Sequence, residues 1–416
     1  MKTSRLTLLA VGLLVSLFSL PSAGSAQTLP FPTSLAGTYQ GLLSGPGDPL
    51  QPAFGRVEIV VTTTGNVTGK LILIDKKTYP FTTKLVTDPG STSAGKTDIR
   101  LAPNAAKVPQ ITININVNTS GVFNLNGIST LTTRASGNFA MLPEYGFKAV
   151  TYNATSKVCA WKGVYTATFS DPTPANENVP AGSGYASGTI GVTGTWLLAG
   201  RLADGTSFTG SMRAGTTARY FVFSTPYTLA GGYFASTFDL TPRSDGNYHV
   251  ADGEAAWVRW TKMTDATTVK FGPVDCVQTC TQWKVPGTGQ TVRSLMGLEP
   301  AEVFDLDFSG ALDPVAYAKY IPTSFGINSN GSLRVSSGLA GSPDPIKTGL
   351  WSKFYSGKVD PKTGVVKITI KVTDRIGGTV AKPKNLVRSV TFNGVMFQLL
   401  AEQLATASFV GGYTYT

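Results

Sequence analysis

The sequence has few of the residue types from which most enzyme active sites are built. Its 416 residues include one histidine and three cysteines, and charged residues make up 14%, against about a quarter in average soluble domains. His249 is the one histidine available to a serine triad or a zinc site, and no triad or zinc motif accompanies it. The sequence also contains no nucleophile elbow, phosphate loop or dinucleotide fingerprint. We therefore expect no catalytic residues, metal or cofactor, and we predict that the chain is not an enzyme.

Long apolar runs are confined to the first 26 residues. Lys2 and Arg5 precede an apolar stretch at 6–20, and Gly24-Ser25-Ala26 supplies the small residues that signal peptidase recognises. We predict a signal peptide at 1–26, cleaved before Gln27, and hence a protein that is secreted or held at the cell surface or in the periplasm. Downstream of the leader there is no run of 18 apolar residues, so we expect no transmembrane helix in the mature chain.

The basic charge of the chain is dispersed. The formal net charge is +11, yet the lysines and arginines form no run of the kind that binds nucleic acid. We expect no nucleic-acid partner. The composition leaves the partner unknown, with an envelope polymer or a glycan as candidates.

The cysteines agree with export but are sparse. Cys276 and Cys280 lie in a segment that looks like a loop, so we predict a local disulfide between them, with Cys159 a buried thiol. Two alternatives stay open: a bond from Cys159 to either partner, or no bond at all. A metal site at Cys276 and Cys280 would need further ligands that the sequence does not suggest.

The strongest structural signal is alternation with period two. Ile111–Asn118 places Ile and Val on one face and Thr and Asn on the other, and 366–373 does the same with Lys and Thr outward. Turn signals such as Asp204-Gly205 and Asp245-Gly246 separate the strands. The pattern predicts an all-β fold, an antiparallel meander forming barrel-like or sandwich lobes. Only 399–407 has helical composition.

The chain also repeats a motif order. Gly37-Thr38-Tyr39 precedes two strands, a Gly turn and Asp75-Lys76, and Gly163-Val164-Tyr165 precedes the same order ending at Asp204-Gly205. This spacing indicates an internally duplicated β unit, although any meander can place Gly and Tyr at strand starts. We predict an N-terminal antiparallel β lobe at 27–157 and a C-terminal lobe at 158–416.

Several of these turns resemble a known type of module. The segment from Gly182 to Ala186, followed by Leu202-Ala203-Asp204-Gly205-Thr206, is similar to a strand and "LADGT" hairpin in uncharacterised secreted bacterial β-meander surface modules of the autotransporter-associated type. Phe354-Tyr355-Ser356-Gly357 and Gly411-Gly412-Tyr413 match their closing strands. The resemblance covers about residues 160–210 and 350–413. It implies a cell-surface β protein and carries no catalytic residues with it.

Two sets of residues are candidates for a site. Trp257 and Arg259 share one strand face, where an exposed Trp would stack on a sugar ring, although a core Trp covered by the Arg stem fits the pattern equally. Asp305 and Asp307 share another face and would hold a cation or flank a glycosidic bond if they were not simply solvated.

The sequence supports three functional hypotheses. The first is a secreted, non-catalytic structural or adhesive module of the bacterial envelope or its surroundings. The second is a secreted carbohydrate-binding or carbohydrate-processing protein. The third is an outer-membrane β-barrel, whose strands also alternate but usually run to about 9–11 residues.

Overall fold

The protein, seen in a computed structural model, is built almost entirely of antiparallel strands. The structure describes residues 30–45, 54–87, 92–99, 110–118, 122–131, 136–155, 157–170, 183–215, 218–228, 232–250, 258–262, 271–300, 304–305, 324–335, 350–379, 382–397 and 409–415. Its described helices are a 3-10 turn at Thr33–Leu35 and an α-helix at Val292–Leu295. The predicted all-β, antiparallel fold is confirmed.

The first lobe is a meander whose ends pair with each other. Its strands are β1 (Gly37–Ser44), β2 (Gly55–Val61), β3 (Asn66–Leu73), β4 (Thr78–Lys84), β5 (Val86–Thr87), β6 (Thr92–Ile99), β7 (Ile111–Asn118), β8 (Phe123–Ser129) and β9 (Gly137–Lys148). Each strand pairs with its neighbour in sequence, except that β4 and β5 do not pair with each other. Only Leu85 separates these two, so together they form one bent strand. Because β1 also pairs with β9, the sheet closes into a barrel-like ring.

The interior of the first lobe is filled by apolar side chains. The inward positions of β7 are completely buried and meet inward residues from β1, β2, β3, β4, β8 and β9 in one cluster. The alternating burial of β7 matches its sequence pattern residue for residue. The period-two alternation therefore sets which residues face inward, because successive side chains point to opposite faces of a strand.

The second lobe repeats this plan. Its strands are β10 (Gly163–Ser170), β11 (Ser183–Ile190), β12 (Thr195–Arg201), β13 (Ser207–Arg213), β14 (Arg219–Ser224), β15 (Tyr233–Asp239), β16 (Thr241–Pro242), β17 (Tyr248–Val250), β18 (Val258–Lys262), β19 (Phe271–Asp275) and β20 (Val277–Trp283). Leu240 joins β15 to β16, and Cys276 joins β19 to β20. β15 pairs with β18, and β16 pairs with β17. On their other sides, β18 pairs with β19 and β17 pairs with β20. Since β20 pairs with β10 and β13 contacts β14, the second meander also curls round on itself.

The turns of the two lobes match in detail. Gly65 and Gly194 have φ of 79° and 73°, and each carbonyl accepts the backbone N–H of a residue 20 positions later, Leu85 or Ala214. One hairpin further on, Lys76 and Gly205 also have positive φ, at 69° and 80°. These matching turns agree with the duplication that the sequence indicates.

A third set of strands follows the second lobe. It comprises β21 (Phe304–Asp305), β22 (Ser324–Ile327), β23 (Leu333–Val335), β24 (Leu350–Val359), β25 (Val365–Gly378), β26 (Pro383–Met396) and β27 (Phe409–Tyr415). Its core contacts the second lobe through Trp283 and Val164, and a smaller cluster joins Val395 and Phe397 to Tyr185. The predicted C-terminal lobe, 158–416, thus contains a meander and further sheets.

The connection between the first two meanders runs from Lys148 to Gly163 and includes the predicted boundary at 157/158. The assignment of two domains stays a prediction. The signal peptide and the helical composition at 399–407 lie outside the described residues.

Candidate functional site

The outer face of the first lobe carries a strip of uncharged polar side chains. On β7 the outward residues are Thr112, Asn114, Asn116 and Asn118, and all are partly exposed. They continue across β8, where Asn124 and Asn126 are exposed beside the buried Phe123 and Leu125. The strip is the wet face that the alternation of these strands requires.

Part of this strip forms a groove with a volume of about 630 Å³. That volume lies in the range of about 300–1,000 Å³ typical of small-ligand sites. The groove crosses four neighbouring strands, since β1 pairs with β9, β9 with β8 and β8 with β7. It is lined by Ser44, Gly45, Thr112, Asn114, Asn126, Gly127, Ile128, Asn138, Phe139 and Ala140.

Two facing carboxamides lie at the middle of the groove. Asn114 and Asn126 are directly opposite each other on β7 and β8, and Asn114 Nδ2 donates to Asn126 Oδ1 at 3.0 Å. This bond leaves the Asn114 oxygen as a further acceptor and the Asn126 NH₂ as a further donor.

The two sides of the groove differ in polarity. Ser44 is buried on one side, and its hydroxyl donates to the Ala140 carbonyl at 3.0 Å. Ile128 is 47% exposed, and its strand neighbour is the exposed Asn138. The ten described lining residues combine amide groups with a small apolar surface, and none of those ten is ionisable.

The structure corrects the prediction for the cysteines. Cys276 and Cys280 lie along one continuous extended segment, β19 to β20, and not in a loop. Four residues of strand span about 13 Å, well beyond the roughly 7 Å limit between disulfide-bonded Cα atoms. No Cys276–Cys280 bond is formed, and all three cysteines are buried thiols, Cys159 as expected.

Cys159 belongs to an aromatic cluster inside the second lobe. Trp161 Nε1 donates to the Tyr220 hydroxyl at 2.6 Å, and that hydroxyl donates to the Gly194 carbonyl at 3.3 Å. Burial raises the pKa of the Cys159 thiol, and the hydrogen bonds it makes oppose that rise only in part. A buried protonated thiol acts as a small apolar group, so the cluster is part of the core.

The other predicted residues are only partly located. Trp257 lies outside the described residues. Arg259 is described as a position on β18, opposite Ala235 on one side and Asp275 on the other. Asp305 is described on β21, opposite Ser324, and Asp307 is not described. The sugar platform at Trp257 and Arg259 stays a prediction.

His249 lies on β17, between Thr241 of β16 and Thr281 of β20. Its Nδ1 atom is buried, without a hydrogen-bond partner among the described residues. Within the same described part of the chain, no three His, Cys, Asp or Glu side chains converge as a metal site would require.

The groove was not foreseen from the sequence. The alternation at Ile111–Asn118 indicated its polar face, but nothing local indicated that Ser44 and Asn138 flank it. The available signal was the recurrence of Asn at alternate positions on two consecutive strands, Asn114 and Asn116 followed by Asn124 and Asn126.

Within the described ranges, neither helix has the length and hydrophobicity of a membrane span.

Comparison with known proteins identifies no family. No protein-family model and no curated protein matches the chain. Among solved structures, a provisionally assigned outer membrane protein from Bacteroides fragilis is similar over 60% of this chain and 98% of its own length, at 11% identity and a TM-score of 0.18. At that TM-score the similarity does not establish a common fold.

Proposed function

We propose that this protein is a secreted, non-catalytic β-rich module that acts as a structural or adhesive element of the bacterial envelope or its surroundings. The observation that carries this proposal is the packing of the two lobes against each other. Leu42 of the first lobe lies in one buried cluster with Phe221, Phe223 and Tyr233 of the second, and the partly buried Phe147 packs against that cluster. A tandem with filled interiors presents its outer strand faces and turns to partners.

Polar contacts reinforce the same junction. Gln40 Nε2 donates to the Arg213 carbonyl at 2.6 Å, and Lys76 Nζ donates to the Tyr227 carbonyl at 2.8 Å. Apolar packing together with hydrogen bonds at a junction opposes independent motion of the lobes, which by default move relative to one another. A junction of this kind suits a load-bearing or display role. The resemblance to secreted surface modules in the turns around Leu202–Thr206 agrees with it.

The polarity of the first lobe favours this proposal over an outer-membrane barrel. Barrels in the outer membrane place apolar side chains outward toward lipid and polar ones inward. On β7 the arrangement is the reverse, with Ile and Val inside and Thr and Asn outside. A carbohydrate-binding role remains compatible with the adhesive proposal, whereas carbohydrate processing would require an additional catalytic site.

The test is co-sedimentation of the purified exported protein with isolated bacterial envelopes, at about 0.1 M and at 0.5 M salt. Because the chain is basic, non-specific attraction to anionic polymers should disappear at high salt. Retention at 0.5 M salt, with no sugar released from the envelopes, would support an adhesive module. Absence of binding at both salt concentrations, or enzymatic release of envelope fragments, would refute the proposal.

A further inference from the structure

We propose that the groove around Asn114, Asn126 and Asn138 binds a neutral glycan segment. This inference rests on the proposed adhesive role and names the ligand class for it. The site lies on the outer face of β1, β7, β8 and β9 in the first lobe, whereas Arg259 belongs to β18 of the second.

The chemistry of the groove matches a sugar. Each hydroxyl of a sugar both donates and accepts a hydrogen bond, and a carboxamide offers both functions as well. The Asn114–Asn126 bond at 3.0 Å joins two residues that face each other across β7 and β8 and leaves one acceptor on Asn114 and one donor on Asn126. A pair of vicinal hydroxyls would meet this arrangement with one bond to each amide.

The apolar part of the groove suits the other surface of a sugar ring. Pyranose rings present a face of C–H groups, which packs against exposed apolar side chains. Ile128, at 47% exposure, lies on the same side of the sheet as Asn126 and beside Asn138. The site thus alternates amide and apolar groups within one groove of about 630 Å³.

The described lining residues offer amide, hydroxyl and apolar groups, and the positions opposite Asn114 and Thr112 on β6 hold one residue of each sign, Lys96 and Asp98. An acidic glycan or a phosphate would gain no ion pair from the described lining residues and would lose part of its hydration. A neutral polyhydroxylated ligand loses less, because its hydroxyls exchange water for the amides. The geometry therefore points to neutral glycans in preference to anionic ones.

The experiment is an array of neutral and anionic oligosaccharides of four to six sugars, probed with the full exported chain. The discriminating variants are Asn126→Ala and Asn126→Asp. The matched control is Asn124→Ala, since Asn124 is an exposed outward asparagine on the same strand but outside the groove. Thermal melting of all three establishes that they fold.

We expect a neutral glycan to bind the unmodified chain and the Asn124→Ala variant equally. We expect about tenfold weaker binding to Asn126→Ala, the loss that corresponds to one hydrogen bond, and at least as large a loss with Asn126→Asp. Equal binding by all variants would overturn the inference, as would binding restricted to anionic glycans or the absence of any bound neutral glycan.

Envelope co-sedimentation of the same variants separates this inference from the proposed function. If the unmodified chain binds envelopes but no neutral glycan, the groove assignment fails and the adhesive role stands. If it binds neither, both fail. Envelope binding that weakens with Asn126→Ala and not with Asn124→Ala would support both.

Discussion

Tyr39 in the first lobe and Tyr165 in the second, 126 residues apart, make the same hydrogen bond. Each hydroxyl donates to the carbonyl oxygen of the residue four positions earlier, Leu35 at 2.8 Å and Trp161 at 2.7 Å. Both rings are fully buried. In each lobe this bond connects the segment before the first strand to that strand. The two lobes therefore share the same hydrogen bond at the start of their meanders, which we call the tyrosine device.

Removal of either hydroxyl should destabilise its own lobe. For Tyr39→Phe and for Tyr165→Phe we expect a loss of about 1–2 kcal/mol in the free energy of unfolding, because each change removes the hydroxyl that donates to a backbone carbonyl. Denaturant titration measures the loss. A control, Tyr152→Phe, changes a tyrosine outside this device. If neither Tyr39→Phe nor Tyr165→Phe differed from the control, the device would have no energetic role.

The same tyrosines should make the protein sensitive to alkali. Burial raises the pKa of Tyr39 to about 12, against 10.0 in the unfolded chain, and burial also raises the pKa of Tyr165. A group whose folded pKa is raised stabilises the fold fully below the unfolded pKa and loses that contribution as the pH rises through the folded value. We therefore expect stability to fall from about pH 10 to pH 12.

Absorbance at the tyrosinate band, followed together with circular dichroism, tests the alkaline prediction. The buried tyrosines should ionise only as the strands unfold, and Tyr39→Phe should flatten the decline in this pH window. Ionisation of every tyrosine near pH 10 with the fold intact would contradict it.

The three thiols should be inert in the folded protein. Burial raises the pKa of the Cys280 and Cys159 thiols, and Cys276 is 8% exposed. Because the thiolate is the reactive form, iodoacetamide at pH 8 should modify none of them until denaturant is added, and all three afterwards. Non-reducing peptide mapping that detects a Cys276–Cys280 link in the native protein would show that the extended geometry of β19 and β20 is not maintained.

Gly194 should tolerate alanine less well than Gly246. Both have positive φ, 73° and 79°, so alanine carries a similar backbone strain of about 1 kcal/mol at each. At Gly194 a Cβ would also lie 2.5 Å from the Tyr152 ring, whereas at Gly246 it would meet no atom within 4 Å. We expect Gly194→Ala to be more destabilising by at least about 1 kcal/mol.

Thermal melting compares the two glycine variants. The double change Gly194→Ala with Tyr152→Ala should recover part of the additional loss, because it removes the clashing ring. Equal melting temperatures for Gly194→Ala and Gly246→Ala would show that the contact with Tyr152 does not constrain the turn.

The junction between the lobes should depend on the edge-to-face pair of Phe147 and Phe221, whose ring centroids are 5.5 Å apart. Phe221 is 3% exposed, and Phe221→Ala should cost about 3–5 kcal/mol at the interface. Limited proteolysis should then cut the connection at 149–162, which should resist cleavage in the unmodified chain. The control is Val60→Ala, since Val60 is 50% exposed on an outer face; similar cleavage of both variants would indicate that the junction does not hold the lobes together.

Much of the candidate site and of the cysteine chemistry could not be predicted from local sequence patterns. The groove brings Ser44 beside Ala140, which is 96 residues away in sequence. Strand periodicity says which face Asn126 occupies but not which strands adjoin it across the sheet. The error at Cys276 and Cys280 has the same origin, since a short segment between two turns looks like a loop until its partners, β10 and β18, are known.

The sequence by itself determined the all-β class and the inward and outward faces of its alternating strands. Period-two alternation at Ile111–Asn118 and the turns at Gly65 and Gly205 act over a few residues, where side-chain direction and backbone φ follow from local chemistry. The tertiary structure alone decided that β1 meets β9, that the lobes join through Phe147 and Phe221, and that a groove opens over Asn114 and Asn126. Those features depend on contacts between distant strands, and a pattern within one strand does not specify its neighbours.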